Sequence, residues 1–361
     1  MLISSLTIKN FRNYSDFKIT FDSEGALIIG ENGLGKTNLL ESIAYFAFGK
    51  SFQTTKDQEL INFSKAFFRL EADFTIKNKL HYFEAASDKK KKIIKINSNN
   101  ISRISELYKY LKVIYFSPND LEIIAGSPVF RRNFIDQAIS QYSFDYIEAL
   151  RNYKKILKQR NALFKTNYSS SEKRAWDEQF AKVGTRIIEF RKKYLLNFAP
   201  LLEDYYKEIS GAKESLNTNY KYSFPNESDD LFSDLMDYLL QIEEQEKHQE
   251  RSLAGPHLDD IDIFMNSHSA RNFSSQGQKR SIAIAMRLAQ TELIKEKDDD
   301  TPILMFDDVL ADLDQMRTKR IIKMLKGKHQ IFIATPNITN YRSFGLPEID
   351  LQKELEKTIE T

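Results

Sequence analysis

The chain has 361 residues and no cysteine, which excludes disulfides, thiolate metal sites and cysteine nucleophiles. Lysine and arginine total 53 against 51 acidic residues, a net charge of +2, so bulk electrostatics demands no nucleic-acid partner. No run approaches the roughly 18 apolar residues of a membrane helix, and the first residues, MLISSLTIKNFRNY, are too charged for a signal peptide. A soluble protein with the cytoplasm as its compartment is the expectation.

Leu6 and Ile8 alternate with polar neighbours, as do Phe17, Ile19 and Phe21, predicting a strand pair at the start. Ala26 to Ile29 is a short apolar strand that breaks at Gly30, and Leu39, Leu40, Ile43 and Phe46 recur at helical spacing after it. Residues 68–116 look mostly β, ending at Val113-Ile114-Tyr115-Phe116. Within them the run Lys89-Lys90-Lys91-Lys92 reads as a solvated hairpin tip. From Asn133 to Ile209 the period turns helical. Trp176, Phe180, Val183, Ile187, Phe190 and Tyr194 form an a/d seam, and loop-type residues Asn167 to Ser171 interrupt the helices. Alternation at Ile261 and Ile263, a helix over Ile282 to Ile294, a strand at Ile303 to Phe306, a helix over Ile321 to Leu325 and a strand at Ile331 to Ile333 return the chain to α/β character. From Arg342 onward there is no strong signal. The expected division is 1–125, 126–250 and 251–361, with the middle part a helical lobe.

Gly30-Glu31-Asn32-Gly33-Leu34-Gly35-Lys36-Thr37 matches G-x-x-x-x-G-K-[ST] between a strand and a helix. Its glycines let backbone N–H groups converge on one anion at a helix N-terminus. Lys36 is expected to reach the β- and γ-phosphates of ATP, and the Thr37 hydroxyl to ligate Mg²⁺. A buried strand that ends in Asp307-Asp308 supplies the other half: Asp307 for the metal and Asp308 to polarise the attacking water. Alone, an apolar run before two aspartates is only a strand end; paired with residues 30–37 it is a site.

Ser275-Gln276-Gly277-Gln278 opens the helix over 282–294 as a second anion-type cap. One nucleotide rarely needs two caps from one chain, and here the sequence resembles the ABC-type ATPases. In that class an S-G-G-Q signature contacts the nucleotide held by the opposite subunit. Gln276 stands in place of one glycine, and Ala311-Asp312-Leu313-Asp314 resembles the D-loop. The resemblance implies an α/β ABC-type P-loop ATPase head of mixed sheets and helices, interrupted by an α-helical lobe, as in the SMC and Rad50 branch.

Within that branch the chain resembles the RecF family. The resemblance rests on Asn10-Phe11-Arg12-Asn13-Tyr14, Phe116-Ser117-Pro118-Asn119-Asp120-Leu121, Gly126-Ser127-Pro128 with Arg131-Arg132 and Phe134-Ile135-Asp136, and Gly255-Pro256-His257-Leu258-Asp259-Asp260. It implies ATP and Mg²⁺ as cofactors, an ATP-dependent homodimer, slow ATP hydrolysis and preference for gapped or junction DNA. Cooperation with RecR and RecO in loading RecA follows from the same resemblance. Asn38 joins residues 30–37 as a nucleotide-binding position. Arg12 and Asn13 either reach the nucleotide or hold the fold, and Asp120 is either a metal-site residue or a plain loop aspartate. Asp308 is shorter than the usual glutamate, and Thr335-Pro336 stands where many relatives carry a switch histidine, so both departures point to slow turnover. His257, Asp259 and Asp260 resemble a metal set but are read as a structural network.

A stretch with six basic residues and no acidic one (Arg151, Lys154, Lys155, Lys158, Arg160, Lys165) is a solvated face on charge alone. The resemblance favours a DNA role without assigning it to particular residues; within this stretch Lys154, Lys155, Lys158 and Arg160 are the candidates for phosphate contact. The rival functions are a regulatory ATPase that clamps a protein partner, an SMC-like nuclease and a transport ATPase. The nuclease lacks an acidic metal domain here, and the transporter is disfavoured by the long insertion.

Overall fold

The structure is a computed structural model that describes residues 1–211, 214–225, 228–298, 301–311, 313–336, 341 and 344–359. In chain order its strands are β1 (Leu2–Phe11), β2 (Tyr14–Thr20), β3 (Gly25–Ile29), β4 (Phe67–Ile76), β5 (Lys79–Asp88), β6 (Lys92–Ile96), β7 (Asn99–Asn100), β8 (Val113–Phe116), β9 (Leu216–Lys221), β10 (Asp260–Met265), β11 (His268–Ser269), β12 (Ile303–Asp307), β13 (Ile331–Thr335) and β14 (Glu348–Asp350). The helices are α1 (Lys36–Phe48), α2 (Leu121–Ala125), α3 (Pro128–Ser140), α4 (Phe144–Leu163), α5 (Ser170–Ser210), α6 (Leu231–Gln241), α7 (Glu243–Gln249), α8 (Ala270–Phe273), α9 (Gln276–Asp298), α10 (Gln315–Leu325) and α11 (Leu351–Ile359).

Two compact units result. The first comprises Met1–Asp120, Glu208–Ser210 and Gln290–Thr361; the second comprises Leu121–Lys207 and Gly211–Ala289. The segment 251–361 expected from the sequence is thus divided, because β10 pairs with β9 and draws 251–289 into the second unit.

In the first unit an antiparallel sheet runs β2-β1-β4-β5-β6-β7 and a second sheet runs β14-β3-β13-β12-β8, with every pairing of the latter parallel. Lys77-Asn78 and Asn97-Ser98 both sit at positive φ (48° and 60°, 49° and 67°), the two-residue turns whose twist matches hairpin strands. The central strands β12 and β13 read as largely apolar runs because both faces are covered. Helix α1 packs against strands of both sheets. Leu39, Leu40, Ile43 and Phe46 are completely buried, each contributing about 1.5–3 kcal/mol. Edge-to-face pairs Phe11–Phe68, Tyr45–Phe68 and Phe74–Phe83 fill the space behind it. Short β14 and α11 complete the chain where the sequence showed no signal; β14 gains its stability from pairing with β3.

The second unit gathers α2 to α8, the first part of α9 and the sheet β11-β10-β9. Its core explains two motifs. Arg131 clasps Asp260 (2.7 and 3.0 Å), Arg132 donates to the Asp259 carbonyl (2.6 Å), and Arg191 joins Asp136 to the Pro256 carbonyl. Asp259 accepts from Tyr220 (2.6 Å) and Ser223, while His257 pairs with the Tyr153 hydroxyl (2.7 Å). Burial, with Arg132, Arg160 and Arg191 adding to it against a Ser252 contact, lowers the His257 pKa to about 4. Among the described residues no group of three or more histidines and carboxylates is placed to hold a metal.

The a/d seam on α5 is only half right. Phe180, Ile187 and Tyr194 are buried, but Trp176, Val183 and Phe190 lie at the margin, while Asp177, Gly184 and Arg191 take the interior stripe.

Candidate nucleotide site

Strand β3 delivers the glycine loop 30–37 to the N-terminus of α1. Gly35 has φ 110°, and a Cβ there would lie 2.5 Å from the Asn13 amide, so only glycine fits. No side chain caps the first turn of α1, which leaves its N–H groups to face an anion. Lys36 is buried, and its ammonium donates to the carbonyls of Gly30 (2.7 Å) and Glu31 (2.9 Å). Burial lowers its pKa; Asp308 and Asp307 oppose that without cancelling it.

Sheet order then brings in residues 270 positions away. The Thr37 hydroxyl donates to Asp307 Oδ1 at 2.9 Å, and the Tyr115 hydroxyl on β8 donates to Oδ2 at 2.5 Å. Burial raises the Asp307 pKa, and the Tyr115 and Thr37 hydrogen bonds and Lys36 hold it back in part. Phe52 stacks on Tyr115 with centroids 3.9 Å apart, fixing that ring. Asp308 sits at φ 57° with its N–H on the Ala334 carbonyl (3.1 Å). A hydroxyl and a carboxylate in direct contact beside a lysine are the donor set that a Mg²⁺–triphosphate takes.

The hairpin at 10–14 braces this loop. Asn13 donates to the Leu34 carbonyl (2.9 Å) and accepts from Asn38 (2.8 Å), and the Tyr14 hydroxyl donates to the Gly35 carbonyl (3.0 Å). Arg12, at φ 53°, gives its guanidinium to the fully buried Glu41 (2.8 and 3.0 Å) and to the Glu59 carbonyl (3.2 Å), which is the fold-holding alternative. Asp120 is also held locally: its carboxylate accepts the Ser117 N–H at 3.1 Å. Tyr14, Glu41 and Tyr115 were not singled out from the sequence. Tyr14 closes the 10–14 motif but was given no role there, and Glu41 and Tyr115 carry no chemical motif; only strand pairing or helix phase reveals where each points.

In the second unit, Ser275 and Gln278 cap each other at the start of α9. The Ser275 N–H donates to Gln278 Oε1 (2.8 Å) and the Gln278 N–H to Ser275 Oγ (3.3 Å), the reciprocal pattern of a capping box. Gln276 and Gly277 form the first turn between them. Asp314 caps α10 through the Arg317 N–H (2.9 Å); Asp312 lies outside the described residues.

The basic stretch on α4 needs a correction. Lys154, Lys155 and Lys158 are exposed, but Arg160 is completely buried and bonded to Asp177 (2.7 Å), Glu246 (2.6 and 2.9 Å) and Ser252 (2.7 Å). It cannot meet a phosphate, because helix phase turns it inward to two carboxylates.

Comparison with known proteins agrees with this geometry. A family model described as the RecF/RecN/SMC N terminal domain matches residues 2–343. A DNA replication and repair protein RecF of Desulfitobacterium hafniense is 35% identical over 339 residues, covering 92% of this chain and 93% of its own. Another, of Halalkalibacterium halodurans, is 35% identical over 349 residues, covering 94% and 93%. A solved structure of the recombination mediator protein RecF-ATP in the RecFOR pathway superposes with a TM-score of 0.86 at 31% identity, covering 93% of this chain and 92% of that one. An Smc head domain of Pyrococcus furiosus, with a TM-score of 0.56 at 16% identity, shares the fold alone. With its paired sheets, glycine loop and Asp307 strand in the places that fold requires, the chain belongs to the RecF family of ABC-type ATPases that act in DNA replication and repair.

Proposed function

We propose that this chain is an ATP-gated DNA clamp that engages gapped or junction DNA as a homodimer and works with RecR and RecO in loading RecA. The observation that carries the reading is the Thr37–Asp307 hydrogen bond of 2.9 Å beside Lys36, in a chain of this family. ATP with Mg²⁺ supplies a γ-phosphate whose presence marks one state and whose loss marks another. Residues 30–38 cradle the phosphates, Lys36 leaves its loop carbonyls to neutralise them, and Thr37 and Asp307 hold the metal with Tyr115 fixing the carboxylate. Ser275 to Gln278 cap the nucleotide bound by a second copy. Asp308 places a short carboxylate for water activation, and Thr335 has no imidazole to offer, so turnover is slow and binding is the signal.

The test is sedimentation with ATP, ADP or neither, with and without gapped DNA, for wild type and Ser275→Arg. ATP gives a DNA-stabilised dimer that Ser275→Arg abolishes while the variant still binds ATP. A protein that stays monomeric with ATP, or a dimer indifferent to DNA, sinks the clamp and moves a protein partner ahead.

A further inference from the structure

One end of the six-stranded sheet carries features that the nucleotide site does not use. There β1 ends at Phe11, β4 begins at Phe67, β5 ends at Asp88 and β6 begins at Lys92. The segment that crosses it holds Phe63, 94% exposed, more than any other large apolar side chain among the described residues. Its mounting is firm. The Asn62 N–H donates to the Asn10 carbonyl (2.8 Å), the Asn62 side chain to the Arg12 carbonyl (2.8 Å), and the Lys65 N–H to the Asn62 carbonyl (3.0 Å). Ser64 takes φ 66° to close the turn. Phe67, also exposed, stands directly opposite Asp88 in the β4–β5 register.

The lysine run is mounted as firmly beside it. Asp88 Oδ1 accepts the N–H groups of Lys90 and Lys91, each at 2.6 Å, and Gln58 donates to the Lys89 carbonyl at 2.9 Å. Lys92 turns inward to Asp57 (2.9 Å), but Lys89, Lys90 and Lys91 are exposed, as is Lys65. Among the described residues no salt bridge engages these four ammonium groups. Of the nearby carboxylates, Asp57 serves Lys92, Glu59 faces Lys56 (4.0 Å), and Asp88 Oδ1 is turned onto backbone.

We propose that this end of the sheet binds single-stranded nucleic acid, with an unpaired base stacked on Phe63 and the phosphates passing over Lys65 and Lys89–Lys91. It rests on the DNA role above and locates part of it. Unpaired bases offer open π faces and a regular row of phosphates, which an exposed aromatic on an anchored turn and a row of exposed ammonium groups complement. A duplex offers no open face, since its bases stack on one another. The distance across β1, β4, β5 and β6, three strand spacings of about 4.8 Å, is enough for a short run of nucleotides. The same turn is tied to Arg12, whose neighbour Asn13 holds the Leu34 carbonyl, so the strand site and the glycine loop share a brace.

The test places an indole at this turn: Phe63→Trp in a Trp176→Phe background, which removes the chain's one native tryptophan. The ATP-loaded full chain is titrated with oligothymidylate and with blunt duplex. Oligothymidylate should quench the introduced indole in step with binding followed by anisotropy, and duplex should not. In the otherwise native chain Phe63→Ala should weaken oligothymidylate binding about tenfold without moving the thermal midpoint. Replacing Lys89, Lys90 and Lys91 by Gln should reduce the slope of log K against log salt by about 2. Unchanged indole emission at saturation, equal quenching by duplex, or undiminished affinity of Phe63→Ala overturns the site. If the Trp176→Phe background fails to fold, Phe63→Ala decides. Wild type that binds DNA normally while Phe63→Ala matches it loses only this site; wild type that binds no DNA with ATP loses the clamp itself.

Discussion

Replacing Arg160 by Met keeps the apolar stem and removes only the guanidinium. In the native protein that group is bonded to Glu246 and Asp177, whose side chains are 0% and 2% exposed, and lies 4.9 Å from the rings of both Phe164 and Phe180. Burial alone pulls its pKa down, and the Glu246 and Asp177 contacts outweigh that and raise it. After the substitution Asp177 keeps Lys173 (2.7 Å), whereas among the described residues Glu246 keeps only the Leu253 N–H (3.0 Å) as a direct partner. Breaking a buried pair costs about 3–5 kcal/mol, and the retained partners place this case near 3 kcal/mol. Arg160→Met/Glu246→Met removes the stranded carboxylate and should recover most of that loss. Trp176, the sole tryptophan, is adjacent to Asp177 on α5, so denaturant unfolding followed by its fluorescence reads this unit directly. The DNA salt slope should not change. A loss below about 0.5 kcal/mol, together with a slope reduced by about 0.9, would show a surface phosphate contact and refute the buried triad.

Two further outcomes follow from the same structure. Tyr115→Phe leaves the nucleotide loop intact but frees Asp307 Oδ2, so Mg²⁺-dependent ATP affinity should fall roughly 10- to 100-fold while metal-free ATP binding holds; equal losses in both titrations would count against it. His257, with its folded pKa lowered to about 4 from 6.5, binds its proton more tightly when unfolded, so stability is lost as pH falls through that interval. Between about pH 7 and about pH 5 the loss attributable to it is about 2 kcal/mol, and His257→Gln should flatten that part of the denaturation profile.

Residues 30–37 and 303–308 were legible because their chemistry is local: a glycine turn, a lysine and a strand end are each read within eight residues. Which strands flank them was not. That β13 lies between β3 and β12, bringing Thr37 to Asp307, depends on pairings across some 300 residues that no local period records. Arg160 was misread for a related reason. Six basic residues in fifteen look like one charged face, but Lys154, Lys155 and Lys158 point outward while Arg160 turns to carboxylates supplied by α5 and α7. On α5 the apolar period was genuine, yet Asp177 and Arg191 displaced its centre, because paired charges can occupy interior positions that hydrophobicity alone would give to Trp176 and Phe190.

The place of β3 in its sheet has a consequence for biosynthesis. Both neighbours of this strand, β13 and β14, come from residues 331–350, whereas β1, β2 and β4 to β7 all lie within the first hundred residues. At translation speeds of about 5–20 residues per second, β3 waits roughly 15 to 60 s for its partners, with two bare edges and an apolar sequence. The antiparallel sheet can assemble on the ribosome in that interval and cover one face of α1. The parallel sheet, and with it the Asp307 half of the nucleotide site, can close only when the last strands emerge.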